Sequence, residues 1–418
     1  MSPVPATTDT PDTPATTGIP GNPDPLGVLL VHHTRLPKIT GGIDTMLVTL
    51  MVELKKSKIP TALFAPASWE QATLARDDYR GTPLYRRRLR MPLDRDRPLR
   101  GLLGWLREFP DILKGLHRVI AREKIQVIHL QTIQSYQLYF RLLHLLGGPP
   151  YLVTLHGTDV LRFGGKNPLQ ARLLKWILKG AARVVGVSPA TAQAAREHFP
   201  FLNQVDTIPN GIAIHPTPQP LDLALPEKFF ILVCDIEPVK GPDIAAKAWV
   251  KLRKSHPDVH LMVVGGHHFY PELTQRVQGI LNQGGCGERV HFTGTLKREE
   301  IFYLAQKSLG QIAPSRREGM PYIFLEAGVA SLPLVASAIP PFTELIQHGS
   351  NGLLAQVEDP DALAACVRQI IEEPDHAREM GQALRQKVVQ QFSAHHMMTK
   401  YVTLYRDIVD RKKSPSND

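Results

Sequence analysis

The 418-residue chain is poor in cysteine. Cys234, Cys286 and Cys366 are far apart and odd in number. They form neither a disulfide framework nor a metal-binding spacing, and they fit a reducing cytosol best. No stretch reaches about eighteen consecutive apolar residues, so no membrane-spanning helix is expected. The N-terminus lacks both an apolar run and early basic residues, so it does not read as a secretory signal. Rich in Pro, Thr and Asp, Ser2 to Pro25 reads instead as a disordered tail. No G-x-G-x-x-G opens a helix after a strand, which counts against a nicotinamide-dinucleotide enzyme. No nucleic-acid-binding module is recognisable, so nucleic acid is not an expected partner. No internal repeat is evident.

Apolar residues make up 43% of the chain, enough for a sizeable core. The length suggests two or three domains of roughly 100–200 residues each. A formal net charge of +10 points to an anionic partner, which by charge alone is phosphates, nucleic acid or an acidic membrane surface.

The pattern along the chain is α/β. Leu26 to Thr34 is an apolar run of strand length, followed by Gly41-Gly42, a helically spaced segment from Ile43 to Ile59 and a strand at Thr61 to Ala67. This order argues for a parallel, doubly wound sheet. Further strands are expected at Ile125–Gln131, Tyr151–Gly157, Ala182–Ser188 and Val205–Gly211. The Pro-rich stretch His215–Lys228 interrupts the pattern and reads as a linker. A second series follows at Phe229–Asp235, His260–Gly266, Arg289–Gly294, Gly310–Ser315 and Leu332–Ser337, and the segment Phe392–Val409 is helical in spacing. The expected organisation is a tail over 1–25, a first Rossmann-like domain over 26–212, a linker over 213–228, a second over 229–391, a closing helix over 392–411 and a tail over 412–418. Ligands would lie in the cleft between the domains, at the carboxyl ends of the strands.

The most informative stretch is Ala313 to Ala327, APSRREGMPYIFLEA. Glu318 and Glu326 have seven residues between them. Gly319 and Pro321 mark a loop feeding a helix N-terminus, with Pro321 expected at the first helical position. Such an end presents free backbone N–H groups and the positive end of a dipole, a site for a diphosphate. Glycine admits the ligand close to the backbone. Carboxylates can accept hydrogen bonds from sugar or ribose hydroxyls. Diphosphate at the amides and hydroxyls at the carboxylates describe a nucleotide sugar.

This stretch resembles the EX7E signature of the retaining glycosyltransferases of family 4, which have the GT-B fold, and other segments follow that family in the same order from Leu26 to Val409. The resemblance implies two Rossmann-like doubly wound domains facing across a cleft. It implies a nucleotide diphosphate sugar as donor and a hydroxyl acceptor, lipid-linked or phosphorylated acceptors fitting the basic charge. It assigns donor binding to Lys240, Gly319, Met320, Tyr322 and Glu326, and places Glu318 and His156 at the transferred sugar as catalytic residues. Gly41 and Gly42 would form a cleft loop. No cofactor and no metal are implied, because helix amides and Lys240 can offset the leaving charge. The expected location is cytoplasmic, either free or peripheral on the inner face of a membrane.

Asp235 departs from the pattern, since the family often has arginine five residues before the lysine. A carboxylate near a diphosphate is repulsive and cannot replace an arginine fork. Arg316 or Arg317 could compensate; Asp235 could turn away or pair with a cation; or the chain could be weak, altered in donor, or a degenerate binding protein. Pro340-Pro341 stand where the family has glycines, and Glu344 reads as structural. Gly265-Gly266 would border the nucleotide. Tyr85–Arg100 holds seven arginines against two aspartates, with apolar residues interleaved. It reads as a solvated loop, or as a contact for an anionic membrane. Asp94-Arg95-Asp96 follows no apolar strand and reads as loop rather than metal site. The adjacent pairs His32-His33, His267-His268 and His395-His396 are poor metal sites.

Overall fold

The computed structural model describes residues 26–34, 36–37, 41–67, 71–91, 98–161, 163, 168–215, 217–266 and 270–413. The expected N-terminal tail, Asp94-Arg95-Asp96, His267-His268 and residues 414–418 lie outside the described residues.

Among the described residues, the first half builds an eight-stranded sheet. Its strands are β1 (Val28–Val31), β2 (Thr61–Pro66), β3 (Ala75–Tyr79), β4 (Thr82–Arg87), β5 (Val127–Gln131), β6 (Tyr151–Leu155), β7 (Arg183–Gly186) and β8 (Asp206–Thr207). The order is β3-β4-β2-β1-β5-β6-β7-β8, parallel except for the β3–β4 pair. The second half builds a six-stranded, wholly parallel sheet from β9 (Lys228–Val233), β10 (Val259–Val264), β11 (Val290–Gly294), β12 (Gly310–Ala313), β13 (Leu334–Ser337) and β14 (Leu353–Ala355). Its order is β11-β10-β9-β12-β13-β14. The central strands are short apolar runs such as VLLV and YLVTL, buried throughout. That is what helices on both faces of a parallel sheet require. In each sheet the strand order reverses beside the first strand, between β1 and β5 and between β9 and β12. Crevices for ligands open at such switch points.

The chain crosses back at Ile212, which exchanges backbone hydrogen bonds with Phe392 and Ala394. The helix Ala394–Lys413 then packs on the first domain. Met397, Met398, Tyr401, Val402, Tyr405 and Ile408 join Leu30, Leu47, Leu50, Met51 and Leu54 in one buried cluster.

Several details differ from the sequence reading. Pro321 is the N-cap, and the helix runs Tyr322–Val329, because the proline sits in an extended conformation. Tyr85–Arg87 belong to β4 rather than to a loop. Its partner β3 (ARDDY) is mostly exposed and charged, so it carries no apolar signal. A helix spans Pro98–Arg122.

Candidate active site in the interdomain cleft

The loops at the two switch points face each other across a cleft of about 640 Å³. Gly41, Gly42, His156, Lys240, Glu318, Gly319, Met320, Tyr322 and Glu326 all line it. The structure therefore brings the expected catalytic, donor-binding and cleft-loop residues to one place.

The domains meet closely at its floor. Gly157 has φ +100° and Gly319 packs directly on it. A Cβ on Gly319 would fall 2.0 Å from the carbonyl oxygen of His156, and one on Gly157 would fall 2.6 Å from Gly319 Cα. Only hydrogen fits between these two backbones. Nearby, the Tyr322 hydroxyl donates to the Gly211 carbonyl at 3.2 Å. The Tyr322 ring would sit 3.2 Å from a Cβ on Gly42.

Lys240 ends a short 3-10 turn, Pro238–Lys240, and Gly241 follows with φ +66°. Its ammonium donates to Glu318 Oε1 at 2.8 Å, and Ser315 Oγ donates to the same oxygen at 2.8 Å. Burial works against the charge on Lys240, but the Glu318 carboxylate outweighs it and raises the pKa. Lys240 is thus a fixed cation beside the loop that carries Gly319 and Met320.

Asp235 lines the cleft, and its Oδ1 accepts from the Gly266 amide at 2.7 Å. Its charge is partly spent on a backbone donor. Arg316 does not supply the missing cation. It grips both oxygens of buried Asp243 at 3.0 Å and pairs with Glu358, outside the cleft lining. Arg317 does line the cleft, and no hydrogen bond or ion pair ties it to the described residues. Burial alone would raise the Asp243 pKa, but Arg316 holds it below the ordinary value. A depressed carboxylate stabilises the fold above its unfolded pKa, and that contribution is lost as pH falls. Arg316→Ala should therefore cost about 2 kcal/mol at neutral pH, a drop of about 4–8 °C in melting temperature. The difference from wild type should shrink below about pH 4 in a thermal melt.

His156 is neutral. Burial, and then His32, push its pKa down to about 3. Its Nε2 lies 2.8 Å from Gln131 Oε1. Glu326 lies in the helix Tyr322–Val329, and burial raises its pKa against the opposing pull of Arg298, whose Nε is 3.9 Å away. Among the described residues its carboxylate accepts no hydrogen bond, so it has room for hydroxyl donors. Burial pushes the thiol of Cys234, which also lines the cleft, up to about 12 and makes it inert.

Sequence reasoning missed His32 with Asp44. His32 follows β1 and Asp44 lies in the first turn of the helix Gly42–Lys56. His32 Nε2 is 3.6 Å from Asp44 Oδ1, and both residues line the cleft. Only the position of His32 at a strand end, shared with His156, could have pointed to it. A second cavity of about 650 Å³ opens on the first domain, sharing His32, His33 and Ile43 with the cleft. Met91, Gln134, Tyr136 and Asp159 line it further out. Burial raises the Asp159 pKa to about 6, against backbone amides that lower it.

Gly265 and Gly266 do not line the cleft; a Cβ on Gly265 would strike the Cys234 carbonyl. Glu344 and Pro340-Pro341 line a smaller cavity behind the Gly157–Gly319 contact. The described arginines of the basic run are paired within their own domain: Arg86 with Asp77, Arg87 with Asp111, and Arg88 and Arg90 with Glu108. Arg95 and Arg97 lie outside the described residues, as does the side chain of Arg100. Among the described residues, no helix is long and apolar enough to cross a membrane.

Residues 216–387 match the family described as Glycosyl transferases group 1, and residues 41–211 match the Glycosyl transferase 4-like domain. The chain belongs to the group 1 glycosyl transferases. Among the relatives of this glycosyl transferase is N-acetyl-alpha-D-glucosaminyl L-malate synthase of Bacillus anthracis, 23% identical over 71% of this chain and 78% of that protein. Another is the GDP-mannose-dependent alpha-(1-6)-phosphatidylinositol monomannoside mannosyltransferase of Mycobacterium tuberculosis, 25% identical over 71% of this chain and 80% of that protein. Its fold is similar to that of sucrose-phosphate synthase from Thermosynechococcus elongatus, with a TM-score of 0.75, 20% identity and coverage of 92% and 99% of the two chains. HepE of Anabaena, solved in complex with UDP and glucose, gives a TM-score of 0.70 at 17% identity, with 91% and 99% covered. The architecture of this glycosyl transferase is GT-B.

Proposed function

We propose that this glycosyl transferase is a retaining enzyme that moves a sugar from a nucleotide diphosphate sugar to a hydroxyl acceptor in glycan, glycolipid or polysaccharide synthesis. The observation that carries the reading is the Lys240–Glu318 pair, set beside the Gly319-Met320 backbone, with the Glu326 carboxylate, which accepts no hydrogen bond among the described residues, in the same cleft. The relatives' printed names support it, as does the UDP and glucose held by HepE.

In this reading the diphosphate sits on the amides around Gly319 and Met320, between Lys240 and Arg317. Glu326 accepts from the ribose hydroxyls and Glu318 from the donor sugar. Tyr322, through Gly211 and Gly42, fixes the helix entry against the first domain. His156 lies on the sugar's other side. The acceptor enters from the cavity past His32. The bond from the anomeric carbon to the diphosphate oxygen breaks, and the acceptor oxygen bonds to that carbon on the same face. The departing diphosphate oxygen takes the acceptor's proton, so no enzymic nucleophile is needed. Lys240 and the backbone amides offset the charge on the leaving group, which makes the reaction metal-independent. Asp235 does not argue for a degenerate site, because its carboxylate serves the Gly266 amide while Arg317 is available to the cleft.

A thermal-shift panel of nucleotide diphosphates and nucleotide sugars tests this reading. A ligand bound only by the folded state raises the melting temperature by mass action, about 2.7 kcal/mol of stabilisation at a hundredfold excess over its Kd. One nucleotide sugar should raise it in the wild type and fail to in Glu326→Ala. The absence of any shift in a folded sample would overturn the assignment.

A further inference from the structure

The polar groups around His156 continue into the core. Gln131, at the end of β5, has Oε1 2.8 Å from His156 Nε2 and its amide nitrogen 3.0 Å from His129 Nε2. His129 Nε2 is also 2.7 Å from Thr154 Oγ1, and His129 Nδ1 is 2.6 Å from the hydroxyl of Tyr405. Tyr401 approaches Thr154 Oγ1 at 3.1 Å. His129, Gln131, Thr154, Tyr401 and Tyr405 are all fully buried. Both tyrosines belong to the closing helix.

An amide nitrogen only donates and an amide oxygen only accepts. His129 Nε2 faces the nitrogen and so keeps its lone pair; the neutral ring carries its proton on Nδ1, donated to the Tyr405 oxygen. His156 Nε2 faces the oxygen and so carries the proton. His156 Nδ1 is left with a lone pair and, among the described residues, no hydrogen-bond partner, on a ring that lines the cleft. Burial holds both rings neutral, each with its pKa near about 3. Turning the Gln131 amide end for end would move the protons of both rings together.

We propose that Gln131 is a positioning residue that sets the tautomer of His156, and that Tyr405 on the closing helix supports it by accepting the His129 Nδ1 proton, so that the His156 ring offers the cleft a hydrogen-bond acceptor rather than a donor. The acceptor nitrogen suits a hydroxyl of the transferred sugar and does not repel positive charge developing on it. The identity of that hydroxyl rests on the proposed sugar transfer; the tautomer does not.

Tyr405→Phe removes the acceptor of the His129 Nδ1 proton. A buried N–H without a partner is costly. His129 then does better with its proton on Nε2, shared by Thr154 and the oxygen of a turned Gln131 amide. The amide nitrogen now faces His156, whose proton moves to Nδ1. Nitrogen-15 NMR of the histidine-labelled full chain, without substrate, reads these states. Wild type should show His156 protonated on Nε2 and His129 on Nδ1. Tyr405→Phe should exchange both, and lower kcat about 10–100-fold with the donor-induced thermal shift retained. Gln131→Met should leave the His156 tautomer insensitive to residue 405. Wild-type His156 protonated on Nδ1, or rings unchanged in Tyr405→Phe, would overturn the proposal. Exchanged tautomers without any donor binding would retain it and sink the sugar-transfer reading instead.

Discussion

Replacing Lys240 with methionine should lower kcat by about two to three orders of magnitude, the scale of losing one preorganised group that stabilises transition-state charge. Methionine keeps much of the stem and removes the ammonium. Two losses combine in this variant. On the proposed function the leaving diphosphate loses its fixed cation, and Glu318 loses the donor that holds it at 2.8 Å. The second loss also weakens the fold, because a largely buried carboxylate is left with Ser315 as its donor. Adding Glu318→Gln to Lys240→Met should restore part of the melting temperature and none of the turnover. A double-mutant cycle with both readouts separates the two effects. A fall in kcat of less than about threefold would remove Lys240 from the diphosphate site.

Gly319→Ala should be nearly as damaging for a different reason. The added Cβ would fall 2.0 Å from the His156 carbonyl oxygen and 3.2 Å from Gly157 Cα. Both are backbone atoms, so no side chain can swing aside and the domains themselves must part. Displacing the donor loop from the opposite wall by about 1 Å is enough to cost about a hundredfold in rate. X-ray scattering should show a larger radius of gyration, while each domain keeps its own core and melting falls only modestly. Gly279→Ala is the control, since a Cβ there meets nothing within 4 Å on the helix Pro271–Gln283. A Gly319→Ala enzyme with wild-type kcat would show that the domains do not need this contact to react.

Much of this arrangement was legible in the sequence. Strands such as Val28–Val31 and Tyr151–Leu155 are buried on both faces, so an unbroken apolar run is their signature. The loop before Tyr322 was legible because glycine and proline there have specific backbone reasons to occur. Other features left no local trace. The β3–β4 pair exposes charges, and its arginines find carboxylates that only the tertiary fold brings near, such as Asp111 for Arg87. The split between Arg316, turned to Asp243, and Arg317, turned to the cleft, falls between adjacent residues of the same type. The Gln131–His129–Tyr405 row joins residues more than two hundred positions apart, and no pattern of spacing encodes it.

The closing helix also sets a timetable for synthesis. Strand β8 ends at Thr207, and Met397 follows 190 residues later (397 minus 207). At about 5–20 residues per second, that interval lasts about 10–40 seconds. Throughout it, the face made by Leu30, Leu47, Leu50, Met51 and Leu54 has no Met397, Tyr401 or Tyr405 to cover it. The first domain is thus completed only when the closing helix has been made, and its apolar face stays bare until then.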